Sequence, residues 1–232
     1  MSECAYKFTE RLVNTTLRAL IHALVRTDID ELQKIPVKGP LLLFTNHINI
    51  IEAPLIYTEL QHITPRCLTG FAKSEFWDNP LMRFLFRTWD AIPLHRGEAD
   101  LSAIKKALSR IKSGHIFAIA PEGTRSHNGK MQRAHPGVAM LGYMSGVPII
   151  PIANYGHDQY VNDLLHFRRT ECYIRVGKPF RLDSHGQRIN NAVRQQMADE
   201  MMYILAAMLP EKYRGAYADL SQATADYIVW DD

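Results

Sequence analysis

What most constrains this chain is a regular alternation of short apolar runs and amphipathic segments between residues 41 and 208. The runs at 41–45, 66–73, 91–95, 116–120, 147–153 and 171–176 read as strands, with 66–73 the weakest of them. The segments 52–60, 79–87, 100–113, 137–145 and 187–208 read as helices. In 100–113, Leu101, Ile104, Ala107, Leu108 and Ile111 fall on one face, and Gly114 supplies a stop. Pro80 suits the first turn of its helix. Strands alternating with helices specify an α/β fold, a mostly parallel central sheet flanked by helices. In such sheets ligands bind beyond the carboxyl ends of the strands. Pro148 and Pro151 place the run 147–153 near a sheet edge or a bend.

Ahead of this pattern, residues 6–26 form an amphipathic helix. Leu12, Val13, Leu17, Leu20, Ile21 and Leu24 recur at helical spacing, and Lys7, Arg11, Arg18 and Arg26 add basic charge. The stripe could pack on the domain or lie in a membrane interface. A turn-rich break, Pro36-Val37-Lys38-Gly39-Pro40, follows. The chain thus divides into an N-terminal amphipathic segment, 1–35, a candidate membrane-interface anchor, and an α/β domain, 36–232. No run reaches the ~20 apolar residues of a spanning helix. The N-terminus lacks the regions of a signal peptide. The expected location is therefore the cytoplasm or the cytoplasmic face of a membrane, with peripheral, monotopic attachment. A net charge of +3 is too mild to argue for nucleic acid. Cys4, Cys67 and Cys172 are odd in number and widely spaced, so free thiols are expected.

Asn46-His47-Ile48-Asn49-Ile50-Ile51-Glu52 follows the first apolar run of the domain. Five residues on a regular helix place two side chains about 140° apart. His47 and Glu52 can therefore meet only if His47 lies in the turn and Glu52 in the first helical turn. The carboxylate would then fix the imidazole tautomer, as a general base requires. The other reading is a polar loop histidine and an acidic residue favoured at a helix start. Pro121-Glu122-Gly123-Thr124-Arg125-Ser126 follows the run 116–120 and joins a flexible glycine, two hydroxyls and a guanidinium in a tight turn. Such a turn can meet a phosphate or a developing oxyanion. Arg96, after the run 91–95, and Lys73 could contact an anionic substrate or be solvated cations. There is no G-x-S-x-G elbow and no H-E-x-x-H pair.

Taken in order, these motifs resemble the glycerolipid acyltransferases typified by 1-acylglycerol-3-phosphate acyltransferase. The family carries Asn-His, four residues and an Asp, here Asn46, His47 and Glu52. An Arg after a strand matches Arg96. Glu-Gly-Thr-Arg-Ser matches Glu122, Gly123, Thr124, Arg125 and Ser126, and a Val-Pro-Ile-rich strand matches the run from 147. Lys73 stands where many members carry a lysine. The resemblance implies transfer of a fatty acyl group from acyl-CoA or acyl-carrier protein to a lysophospholipid hydroxyl. His47 and Glu52 would be catalytic. Lys73, Arg96, Glu122, Gly123, Thr124, Arg125 and Ser126 would bind substrate. No cofactor or metal is implied, and the membrane surface would be a partner. Glu52 departs from the family's Asp by one methylene, a difference that catalysis can feel. It leaves open another acceptor lipid, or a silent lipid-binding protein of the same fold.

Overall fold

The computed structural model describes residues 8–64, 66–95, 100–126 and 128–231. Helix α1 (Phe8–Leu24) leads into β1 (Val25–Asp28), and β2 (Leu41–Thr45) leads into α2 (Glu52–Ile63). There follow β3 (Leu68–Lys73), α3 (Pro80–Thr88), β4 (Ile92–Leu94), α4 (Leu101–Lys112) and β5 (Ile116–Ile119). Next come α5 (Pro136–Ser145), β6 (Ile149–Tyr155), α6 (Tyr160–Leu165) and β7 (Thr170–Val176). The chain ends in β8 (Phe180–Leu182), α7 (Asn191–Met208) and β9 (Ile228–Trp230). Helix starts follow local chemistry. Asn79, Asp100 and Asn190 each accept a backbone N–H of the first turn of α3, α4 and α7.

The strands form one sheet in the order β1-β7-β6-β2-β5-β3-β4, with β8 pairing β6 and β9. Pairings through β1–β7, β2–β5, β2–β6, β3–β4 and β3–β5 are parallel; β6–β7, β6–β8 and β8–β9 are antiparallel. The expected mostly parallel sheet is therefore present, with an antiparallel margin on one side. Successive side chains of a strand point to opposite faces, and both faces of β2 are buried. Leu42 and Phe44 join Phe117, Ile149 and residues of α4, α5 and α7 in one core. Leu41 and Leu43 join Ile116, Ile150 and residues of α2 in the other, where Ile21 of α1 also packs.

Helix α1 is fastened to that second layer. Arg18 Nε and His22 Nε2 meet the buried Glu59 Oε1 at 2.9 and 2.6 Å, and Trp89 Nε1 donates to Asn14 Oδ1 at 3.0 Å. Its opposite face leaves Leu12, Leu20 and Leu24 exposed. The stripe thus packs in part on the domain and in part faces solvent.

Three expectations need correction. The run with two prolines is not at a sheet edge, one of the two places expected for it: β6, which holds Pro151, lies between β7 and β2. The Pro151 carbonyl accepts from Gly177 N at 2.9 Å, so its side of the strand faces the gap between β7 and β8. The missing proline N–H falls in that gap and breaks no ladder bond. The helix expected over 6–26 stops at Leu24, and the next residues pair with β7 as β1. Cys67 is disulfide-bonded where a free thiol was expected, whereas Cys172 is free and buried.

At the gap, a Cβ on Gly177 would stand 2.6 Å from Pro151 Cγ and 2.8 Å from Met208 Sδ. Gly177→Ala should destabilise the fold by about 1–3 kcal/mol. Urea unfolding should show a lower midpoint at unchanged slope; an unchanged midpoint would mean the gap is slack.

Candidate active site

The chain leaves β2 at Thr45 and re-enters regular structure at Glu52, the first residue of α2. Two buried asparagines hold this exit against β6. Asn46 Nδ2 donates to the Asn154 carbonyl at 2.8 Å, and Asn154 N returns a bond to Asn46 Oδ1 at 2.9 Å. Asn154 Nδ2 also donates to Thr45 Oγ1 and to the Asn46 carbonyl, both at 2.8 Å. Asn49 accepts Ile51 N through Oδ1 at 2.9 Å and donates through Nδ2 to the His157 carbonyl. Two parallel strands that are neighbours in space are thereby tied at their carboxyl ends.

His47 lies in the turn and Glu52 opens the helix, so the side chains meet: His47 Nδ1 is hydrogen-bonded to Glu52 Oε1. Glu52 is only 1% exposed. Its two oxygens also take the Asn49 backbone N–H, at 3.2 and 3.0 Å, and Oε2 takes His157 Nε2 at 3.1 Å. Burial alone would raise its pKa. The bonds from His157 and His47 outweigh burial and hold it at about 2. Glu52 is therefore an ionised, acceptor-only group near neutral pH. The hydrogen in the His47 contact must then sit on Nδ1, and a neutral His47 ring keeps its lone pair on Nε2. The His47 side chain is a quarter exposed, and its Nε2 makes no hydrogen bond among the described residues.

His157 is not anticipated from sequence. It follows β6 just as His47 follows β2, which is the one signal that would have found it. The ring is fully buried. Its Nδ1 has no hydrogen-bond partner among the described residues, and Cys172 acts on the ring as a whole. Burial opposes charge on the ring. The Cys172 sulfur and the Glu52 carboxylate favour it, and together they raise His157 to about 10.

The turn after β5 closes the other side. Glu122 is buried and accepts His47 N at 3.0 Å and Gln132 N at 2.9 Å. Burial, only partly offset by those bonds, raises its pKa to about 7. The carboxylate is thus committed to backbone, clamping the histidine turn to the 121–132 loop. Gly123, at φ 64°, makes the tight turn, and a Cβ there would stand 2.8 Å from His135 Cδ2. Its N–H is spent on the Ala120 carbonyl at 3.0 Å, and that of Ser126 on the His47 carbonyl at 2.7 Å. The N–H groups of Thr124 and Arg125 make no hydrogen bond among the described residues. Arg125 is exposed, with a side chain free of ion pairs among the described residues. Lys73 ends β3 on the same rim and pairs with Glu75 at 2.8 Å. Arg96 lies outside the described residues. His47, Glu52 and the 122–126 turn are therefore brought together, and Lys73 stands further along the rim. Among the described residues, no group of three or more His, Cys, Asp or Glu side chains is arranged to hold a metal ion.

The raised His157 pKa fixes the sign of a pH effect. Its charge stabilises the fold fully below its ordinary value of 6.5, and that contribution is lost as pH rises towards about 10. The urea midpoint of the native protein should fall across this window. In His157→Gln the fall should be shallower, since other groups titrate alike in both. Equal slopes would show that His157 does not titrate with folding.

Residues 26–155, more than half of the chain, match the family model described as Acyltransferase. A chloroplastic 1-acyl-sn-glycerol-3-phosphate acyltransferase of Brassica napus is 25% identical over 139 residues, 59% of this chain and 39% of that protein. The chain thus spans about two fifths of that relative's length. N-acylphosphatidylethanolamine synthase of Arabidopsis thaliana is 23% identical over 193 residues, 76% of this chain and 68% of that protein. The fold is similar to the crystal structure of a 1-acyl-sn-glycerophosphate (LPA) acyltransferase from Thermotoga maritima. The TM-score is 0.59 at 20% identity, covering 86% of this chain and 76% of that one. The family model covers more than half of the chain, a stretch that includes both the His47 turn and the 122–126 turn: the chain belongs to the acyltransferase family.

Proposed function

We propose that the chain moves a fatty acyl group from an acyl thioester, acyl-CoA or acyl-carrier protein, to the hydroxyl of a lysophospholipid. The best-fitting acceptor is 1-acylglycerol-3-phosphate. The observation that carries this reading is the contact of His47 Nδ1 with the buried, ionised Glu52, which leaves Nε2 as the open nitrogen.

A hydroxyl is a weak nucleophile near neutral pH. His47 Nε2 takes its proton as the oxygen attacks the thioester carbonyl. Glu52 orients the ring and balances the imidazolium that forms. The N–H groups of Thr124 and Arg125, unengaged among the described residues, receive the oxyanion, a contribution of about 3 kcal/mol at comparable sites. The tetrahedral intermediate collapses, the C–S bond breaks, and the thiolate takes the proton from His47. An ester and a thiol result with no net change in protons. Arg125, with Arg96 and Lys73, receives the acceptor's phosphate.

A second acceptor has some support. One relative, of which this chain covers 68%, bears the name N-acylphosphatidylethanolamine synthase. The same base would serve a phospholipid amine, with Arg125 less important to binding. Either acceptor lies in a bilayer. The enzyme therefore works at a membrane surface, taken to be the cytoplasmic face, with the exposed stripe of α1 as an anchor. No helix among the described residues is long and apolar enough to cross a membrane.

Thiol release from a long-chain acyl-CoA should depend on added lysophosphatidic acid, and His47→Ala should lower kcat by about 10²- to 10⁴-fold. Glu52→Asp should lower kcat about tenfold or more, because a carboxylate one methylene shorter cannot hold both rings. Release that ignores the acceptor, or survives loss of His47, would rule this mechanism out.

A further inference from the structure

The segment 160–169 is part of the connection from β6 to the antiparallel β7, past the carboxyl end of β6, on the rim from which His47 emerges. Its apolar side chains face solvent. Val161 and Leu164 are exposed, Leu165 is 73% exposed and Phe167 100%.

Phe167 is also in the wrong backbone conformation for its size, with φ at 54°. Its N–H donates to the Leu164 carbonyl at 3.1 Å, and the Arg168 N–H to the Asp163 carbonyl at 2.8 Å. This pair of bonds makes the helix-ending turn in which glycine is the usual occupant of the Phe167 position, because left-handed backbone crowds a Cβ. A fully exposed aromatic ring there strains the turn and recovers nothing by packing within the chain.

The surroundings are cationic. His166, Arg168 and Arg169 flank the ring and are exposed. Arg169 Nη2 donates to the carbonyls of His22 and Val25 at 2.6 and 2.9 Å, tying the segment to the end of α1. Leu20, Leu24 and Arg26 are exposed there as well. The acidic neighbours are engaged locally: Asp163 accepts from Thr170 Oγ1, and Glu171 from Tyr173 Oη. An exposed apolar tip flanked by arginines matches an anionic lipid surface, acyl chains beneath and phosphates above.

We propose that the segment 160–169 is a membrane wedge. Phe167 and Leu165 enter the acyl region of an anionic bilayer, and Arg168 and Arg169 meet lipid phosphates. The wedge deepens the membrane reading above and rests on it. With the end of α1 it seats the rim carrying His47 against the bilayer, so a lysolipid reaches the site without crossing water.

The test compares the native chain with Phe167→Gly and Phe167→Trp on vesicles of phosphatidylcholine mixed with phosphatidylglycerol. Phe167→Gly should partition about tenfold more weakly, while its urea midpoint stays level or rises, because the strain is relieved. A purely structural role for Phe167 would lower that midpoint. In Phe167→Trp the added fluorescence should be quenched by lipids brominated on their acyl chains. Unchanged partitioning of Phe167→Gly, or added fluorescence in Phe167→Trp that those lipids leave unquenched, would overturn the wedge and leave the α1 anchor standing. A native chain that ignores the vesicles would overturn the membrane reading with it, whereas thiol release reports acyl transfer separately. A Phe167-dependent dimer in sedimentation equilibrium, without vesicle binding, would assign the tip to a second copy instead.

Discussion

An ionised carboxylate in a dry place holds this site together. Glu52 carries its charge almost without solvent, and an unpaired charge there would be prohibitive. Two histidine rings and one backbone N–H satisfy it. Removing one partner of such a buried arrangement typically costs about 3–5 kcal/mol. The carboxylate therefore fixes both rings, and it gives them different duties. His157 is sealed in and shares the charge. His47 is turned outward with its second nitrogen open.

The parallel sheet decides where this happens. His47 and His157 are 110 residues apart in the chain, yet they follow the carboxyl ends of neighbouring strands. The Asn46–Asn154 exchange closes the space between those ends, and Asn49 reaches across to the His157 carbonyl. Glu122 performs the equivalent task on the β5 side through backbone N–H groups. The His47 turn is thus positioned from both flanks by buried polar side chains rather than by a loop alone, which is the preorganisation that the proposed acyl transfer needs.

Much of this is legible in sequence where the information is local. The i, i+5 spacing of His47 and Glu52 allows contact only across a turn into a helix, and that is how β2 and α2 are joined. The apolar runs mark the parallel strands, because buried strands of this kind need no partner-specific code. The losses have a common cause in long-range pairing. His157 meets Glu52 across 105 positions, and no local pattern records that contact. The place of Pro151 depends on a gap between β7 and β8, so a rule about prolines in strands points to the wrong part of the sheet. Strands β8 and β9 are three residues each, too short for a period to show. The hold of Glu122 on the His47 backbone N–H is equally hidden, because it spans 75 positions.

The proposed mechanism stands on which nitrogen of His47 carries its proton. Long-range ¹H–¹⁵N correlation spectra of the histidine rings, with His47 assigned by comparison with His47→Ala, read this directly. A neutral His47 with a protonated Nδ1 and a bare Nε2 is the predicted result. A bare Nδ1 would mean that Glu52 does not hold the ring as an ionised acceptor, and His47 could not then serve as the base.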